Sequence, residues 1–301
     1  MSFASLKNET SFDKLNKALD GISGKKSYVD EREWKLTVDK AGNGQATFRF
    51  LTTPQKDRDR SRDAAPFVAI YSHSFKGPSG RWYIENCPTT IRGKCPVCEN
   101  NNRLYESGLQ SNKDLVSGEN GRKRKLQYYS NIYMIKDPAN PSNEGKVFLY
   151  KYGPKIFDKI KFKSQPQFED EEKVDVFHLW KGANFKLKAH TAKGQRTYEN
   201  SSFDVVSPLL GGDDEKLEKV YNSLYSLMDL VAPSVFKSYE ELKEKHDSVI
   251  GSSASDFRAR SAETVELEEE VNMPDPTGSS TDEDDESMKY FGNLAKLAAE
   301  D

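Results

Sequence analysis

Cysteine is scarce in this chain, with Cys87, Cys95 and Cys98 the only three among 301 residues. An odd number this small, gathered within twelve residues, excludes a disulfide framework. Long apolar runs are lacking too. No stretch approaches the ~18 consecutive apolar residues of a membrane span, and Met1-Ser2-Phe3 leads into polar sequence without a secretory h-region. A soluble protein of the cytoplasm is therefore expected. Apolar residues are sparse overall, at 35% of the chain, or about 41% with glycine against the roughly 45–50% of a typical globular chain. Part of the chain is expected to stay unpacked.

The net charge of −3 hides a segregation. From Ala262 onward thirteen acids face only Lys289 and Lys296, a local charge of −11, which leaves +8 on residues 1–261. A basic body with an acidic tail is a recurrent plan for nucleic-acid binders. The plainer reading is a solvating tail on an ordinary protein.

Phe12, Leu15, Leu19 and Ile22 fall at helical spacing behind Ser11, predicting a short helix that needs a partner surface, its own body or a neighbouring molecule. From Glu33 the period becomes two. Trp34, Leu36 and Val38, then Ala46, Phe48 and Phe50, flank Asn43-Gly44 and predict a hairpin with one buried face, Arg49 pointing away from the core. Strands are also predicted at 67–73, 81–85, 126–135, 146–152, 174–179 and 183–189. The loop 55–63 reads as solvated, and helical stripes return over 213–231 and 238–246. Short strands between turn clusters, with few helical patterns among them, predict a mainly β fold, a small barrel with flanking helices. After about Gly251, Ser-rich and acidic sequence predicts a disordered region, and Met288, Phe291, Leu294 and Leu297 near its end suit a segment that folds on a partner.

Cys95-Pro96-Val97-Cys98 is a C-x-x-C knuckle that offers two thiolates to one ion. Cys87 supplies a third sulfur. Of the four histidines, His73 lies nearest, so His73, Cys87, Cys95 and Cys98 form a candidate four-ligand zinc site, which leaves no open position and is structural. The alternative is a set of reduced, buried thiols beside a core histidine. Zinc nucleobase deaminases are excluded, because their signature needs a glutamate at 75 and a proline at 94, where Phe75 and Lys94 stand.

Between Arg103 and Lys163 thirteen Lys/Arg face six acids, and nine aromatics are interleaved with them. Cations that track phosphates and rings that stack on bases are the chemistry of sequence-tolerant single-strand binding. Arg122-Lys123-Arg124-Lys125 followed by Tyr128-Tyr129 is least easily explained by packing, and Lys151 between Tyr150 and Tyr152 is expected along the same groove. Aromatics alternating in strands are nonetheless more often core than platform. Two other readings fit the pattern: an RNA-binding regulator and a zinc-stabilised scaffold.

The runs Trp34-Lys35-Leu36, Ala41-Gly42-Asn43-Gly44-Gln45-Ala46, Arg49-Phe50-Leu51, Trp82-Tyr83-Ile84-Glu85, Cys95-Pro96-Val97-Cys98, Lys123-Arg124-Lys125, Lys136-Asp137-Pro138-Ala139, Asn143-Glu144-Gly145-Lys146-Val147-Phe148 and Gly182-Ala183-Asn184-Phe185 appear in this order. The series resembles the helix-destabilising single-stranded DNA-binding proteins of T-even-type bacteriophages. The resemblance implies a non-enzymatic protein of phage DNA replication, recombination and repair in the infected cell. It implies an OB-fold core (25–250) with an inserted zinc subdomain (about 66–105) holding one structural zinc through His73, Cys87, Cys95 and Cys98. The flanking segments would be an N-terminal one (1–24) for self-association along the strand and an acidic tail (251–301) for replication and recombination partners. It maps DNA contacts onto Arg49, Trp82, Tyr105, Lys123, Arg124, Lys125, Tyr128, Tyr129, Tyr150 and Tyr198.

Overall fold

Strand alternation decides which side chains build the interior. In the computed structural model, which describes residues 30–118, 121–168, 170–192 and 194–251, β2 (Gly44–Phe50) turns Ala46, Phe48 and Phe50 into one core. The strand β7 (Ala183–Ala192) adds Ala183, Phe185 and Leu187 to the same core. Rings meet there edge to face or tilted: Phe48 and Tyr150 lie 5.0 Å apart, Phe48 and Phe185 5.5 Å, Trp34 and Tyr150 5.5 Å. Such pairs add ~0.5–1.5 kcal/mol beyond the area they bury. The Trp34 indole N–H also donates to the Asp137 carboxylate at 2.8 Å, tying β1 (Glu33–Trp34) to the loop after the longest strand.

That strand, β5 (Lys125–Lys136), organises the sheet. Its first half pairs antiparallel with β3 (Val68–Lys76) and its last residues with β2. Between them it pairs with β6 (Val147–Tyr152). β1 joins β6 in parallel, β7 pairs with β2, and β4 (Trp82–Asn86) hangs on β3. Two short strands, β8 (Gln195–Thr197) and β9 (Ser202–Val206), complete nine by pairing with β7. Along the ladder path β1-β6-β5-β2-β7-β8 the two end strands share no ladder.

Helices cover the remaining faces: α1 (Gln55–Arg60), α2 (Pro96–Glu106), α3 (Gln110–Ser117), α4 (Pro154–Ser164), α5 (Asp214–Asn222) and α6 (Tyr239–Ile250). α6 starts on a capping box between Ser238 and Glu241. It then packs Leu242 and Val249 against Phe75 and Tyr83. The fit at Gly77 is close enough that a Cβ there would lie 2.1 Å from the Val249 carbonyl oxygen.

Four expectations are corrected. The segment 35–38 forms no ladder with β2, although the turn at Asp39–Asn43 is present, because β2 already has β5 and β7 on its two edges. Residues 174–179 are irregular backbone and turns rather than a strand. The solvated loop is in part α1, held from inside by the buried Asp57 carboxylate, which accepts from the Ser226 hydroxyl at 2.5 Å and the Leu227 N–H at 2.7 Å. The helix predicted over 213–231 stops at Asn222, since the Asn131 amide captures the Tyr225 N–H and C=O while Asp57 takes the next amides. The expected segments 1–24 and 252–301 lie outside the described residues.

Candidate functional site

His73 sits on β3, Cys87 just past β4, and Cys95 and Cys98 at the start of α2, where Pro96 occupies the first turn. Their four donor atoms lie within 4.8 Å of one another. Cys87 Sγ and Cys98 Sγ are 3.6 Å apart, and His73 Nε2 is 3.6 Å from Cys95 Sγ and 3.4 Å from Cys98 Sγ. A tetrahedral ion with bonds of about 2.3 Å to sulfur and about 2.0–2.1 Å to nitrogen needs edges of ~3.5–3.8 Å; these three edges lie close to that range, and the cluster could bind a metal ion. The sulfurs are too far apart for a disulfide bond of about 2.05 Å. Burial opposes an imidazolium at His73, yet the sulfurs of Cys87 and Cys95 outweigh it and hold the pKa at about 9. Hydrogen bonds from Cys95 and Cys98 push the Cys87 thiol far down.

The outer bonds of this cluster lead to the basic segment. His73 Nδ1 lies 2.9 Å from the carbonyl oxygen of Arg122, which fixes Nδ1 as the N–H donor and leaves Nε2 for a metal. Asn101 Nδ2 donates to the same carbonyl at 3.1 Å. The Lys123 N–H donates to Val116, and Arg124 lies 4.3 Å over the Tyr71 ring while donating to Thr89 Oγ1 at 2.9 Å. The Arg122 side chain is buried near the Phe75 ring, and burial lowers its pKa. Asn101 was not foreseen, though it follows Cys98 by one helical step of three and so shares its face.

Around this lobe the solvent side carries cations and rings. Trp82 is 56% exposed on β4, because the buried Tyr83 beside it takes the inward position. Tyr105 is 45% exposed near the end of α2 and hydrogen-bonds Ser117. Lys123 and Lys125 are exposed, and Arg124 is half-buried.

Other expected contact residues lie deeper. Tyr128 (3% exposed) and Tyr150 (5%) belong to the aromatic core, with Tyr128 stacked flat on Phe157 at 3.9 Å. Lys151 does not share a groove with Tyr150 and Tyr152, because neighbours in a strand face opposite ways. It sits over Tyr129 on the neighbouring strand instead, 5.7 Å from the ring centre. Tyr198 packs half-buried against the core.

Arg49 does point away from the Phe48 and Phe50 core, but its own face is covered, and it is 0% exposed. Its guanidinium donates to Asn184 Oδ1 at 2.9 Å and the Ser207 carbonyl at 2.8 Å. Burial lowers its pKa to about 10, so it stays charged at neutral pH. Gly182 leaves it room, for a Cβ there would lie 3.0 Å from Nη1. Among the described residues, no helix is long and apolar enough to cross a membrane.

Residues 42–250 match the family described as gp32 DNA binding protein like. The chain is 41% identical over 252 residues to the single-stranded DNA-binding protein of Enterobacteria phage T2, covering 81% of this chain and 78% of that relative. It is 40% identical over 251 residues to the single-stranded DNA-binding protein of Enterobacteria phage T4, covering 80% and 78%. A shorter match, 45% over 93 residues, joins it to the single-stranded DNA-binding protein of Escherichia phage SV14, covering 30% of this chain and 76% of that relative. The matched span and the identity to both relatives agree: the chain belongs to the gp32 DNA-binding protein-like family.

Proposed function

We propose that this protein coats single-stranded DNA with little sequence preference during phage DNA replication, recombination and repair, in the cytoplasm of the infected cell. One observation carries the reading: the carbonyl of Arg122 is held by His73, so the metal cluster orders the segment that bears Lys123, Arg124 and Lys125. The basic segment is thereby presented as a preset row of charges. Trp82, Tyr105, Tyr129 and Tyr198 are the rings proposed to meet bases beside it, while Arg49, Tyr128 and Tyr150 support the surface from within. Binding the open strand and not the duplex shifts melting by mass action, without any catalytic step.

Three thiolates and one imidazole suit zinc. The ion would be held by His73, Cys87, Cys95 and Cys98, and with four protein ligands it would supply structural cross-linking. The open sheet is read as an elaborated OB-fold with the metal lobe inserted at β3–β4. Segments 1–24 and 251–301 are assigned to self-association and to binding replication and recombination proteins on the resemblance, the second also for its acidic composition.

Fluorescence titration with poly(dT) at several salt concentrations tests the function. Each phosphate neutralised contributes about −0.7 to the slope of log affinity against log salt. A salt-independent affinity, or equal affinity for a matched RNA, would remove the single-stranded DNA reading.

A further inference from the structure

A second cationic surface lies at the far end of β5. Lys136 closes that strand, and its partner across the ladder is Thr47 on β2. On the other edge of β2, Thr47 faces Lys186 and Gln45 faces Lys188. Period-two alternation sends Lys186 and Lys188 outward from β7 while Phe185 and Leu187 enter the core. Three lysines from two strands thus surround the short polar side chains of a third.

These residues line a groove of about 380 Å³ whose wall is completed by Asn200 and Ser202 and which no acidic side chain lines. Asp204 pairs with Lys186 at 2.7 Å from outside the groove. Lys136 and Lys188 are exposed and make no ion pair among the described residues. Like charges held close together on a rigid sheet repel one another, and the arrangement becomes favourable once an anion sits between them. Gln45, Thr47 and Asn200 offer the uncharged donors that commonly accompany lysine at phosphate oxygens.

We propose that this groove is a second phosphate-binding subsite for single-stranded DNA, used only by strands long enough to run past the metal lobe. The inference rests on the single-stranded DNA reading above. β5 reaches from Lys125 to Lys136, about 36 Å at ~3.3 Å per residue. An oligomer of a few nucleotides held at the lobe therefore leaves the far groove empty. The groove has no exposed ring among its lining residues, so it takes the backbone of the strand and leaves the bases unread.

The experiment compares the full chain with a Lys136→Ala/Lys188→Ala variant, and with Lys216→Ala/Lys219→Ala on α5 as a control of equal net charge. Affinity is titrated against salt for dT oligomers of about 4 and about 16 nucleotides, the range one OB-type fold spans. The groove variant is expected to lose about 1.4 from the salt slope on the long oligomer, two phosphates at ~0.7 each. It should match the parent on the short one, and the control should match on both. An unchanged slope on the long oligomer overturns the subsite. So does an equal loss on both lengths, or the same loss in the control, since either reports net charge and not contact. Failure of the parent to bind either oligomer would instead strike the proposed function.

Discussion

The lobe around the His73 and cysteine cluster and the sheet core are both interiors, built from different materials. The sheet core interlocks Trp34, Phe48, Phe50, Tyr150 and Phe185, and its stability comes from buried area and ring packing. The lobe has Phe75, Tyr83, Val97, Leu242 and Val249 around two buried sulfurs, much less apolar matter for the chain it must order. A small core with a ready donor cluster is the situation in which metal binding supplies folding free energy. The lobe is also the part that carries Trp82, Tyr105 and the Lys-Arg-Lys segment. Rigidity is therefore expected to depend on a bound metal where the cations are displayed and not beneath them.

Removing the metal separates the two regions most sharply. Apparent binding energies of structural zinc reach ~10–16 kcal/mol in small domains, so chelation or Cys95→Ser is expected to release the lobe and weaken DNA binding. Limited proteolysis should then cut within 77–124 while the strands of the sheet core persist. Digestion of both regions at one rate would break the distinction. The converse test is Phe48→Ala, which leaves a void among four rings and should cost ~3–5 kcal/mol of stability. Its denaturation midpoint should fall equally with and without metal.

A third substitution acts on the surface alone. Trp82→Ala should cost about 1–3 kcal/mol of affinity through lost base stacking, with the unfolding midpoint unchanged, because the ring is mostly exposed. The smallest effect belongs to the clasp on α1, where Asp229 meets Lys56 at 2.7 Å and Arg60 at 2.6 Å. Hydrogen bonds from Lys56 and then Arg60 lower the Asp229 pKa to about 2. A depressed carboxylate stabilises above its usual pKa of about 4, and that contribution is lost as the pH falls through 2. The pair is solvent-exposed, so screening keeps its worth under ~1 kcal/mol. Asp229→Asn should lower the midpoint slightly at pH 7, with the difference shrinking towards pH 2 and vanishing below it, as followed by thermal denaturation.

Local pattern alone placed most strands, because alternation of Phe48 and Phe50 with Arg49, or of Phe185 and Leu187 with Lys186, is a property of neighbouring residues. The donor set His73, Cys87, Cys95 and Cys98 was legible for the same reason, since a C-x-x-C turn and two nearby ligands limit what one ion can reach. Periodicity says which side of a strand a residue takes, and it does not say what covers that side. Arg49 is thus buried by Asn184, His178 and Ser207, residues more than a hundred positions away.

Alternation favoured core over platform for Tyr128 and Tyr150 without naming what covers them, which is Phe157 on α4 for Tyr128 and Phe48 and Phe50 on β2 for Tyr150. The helix over 213–231 was cut short by Asn131 and Asp57, two side chains that compete for its backbone amides from a remote strand and a remote helix. Composition and spacing by themselves determined the chemistry this protein carries: thiolates for a metal, cations for phosphate, rings for bases. Tertiary structure decided which of those groups face solvent and tied the Arg122 carbonyl to His73, because burial and long-range hydrogen bonds depend on distances that exist only after the chain has folded.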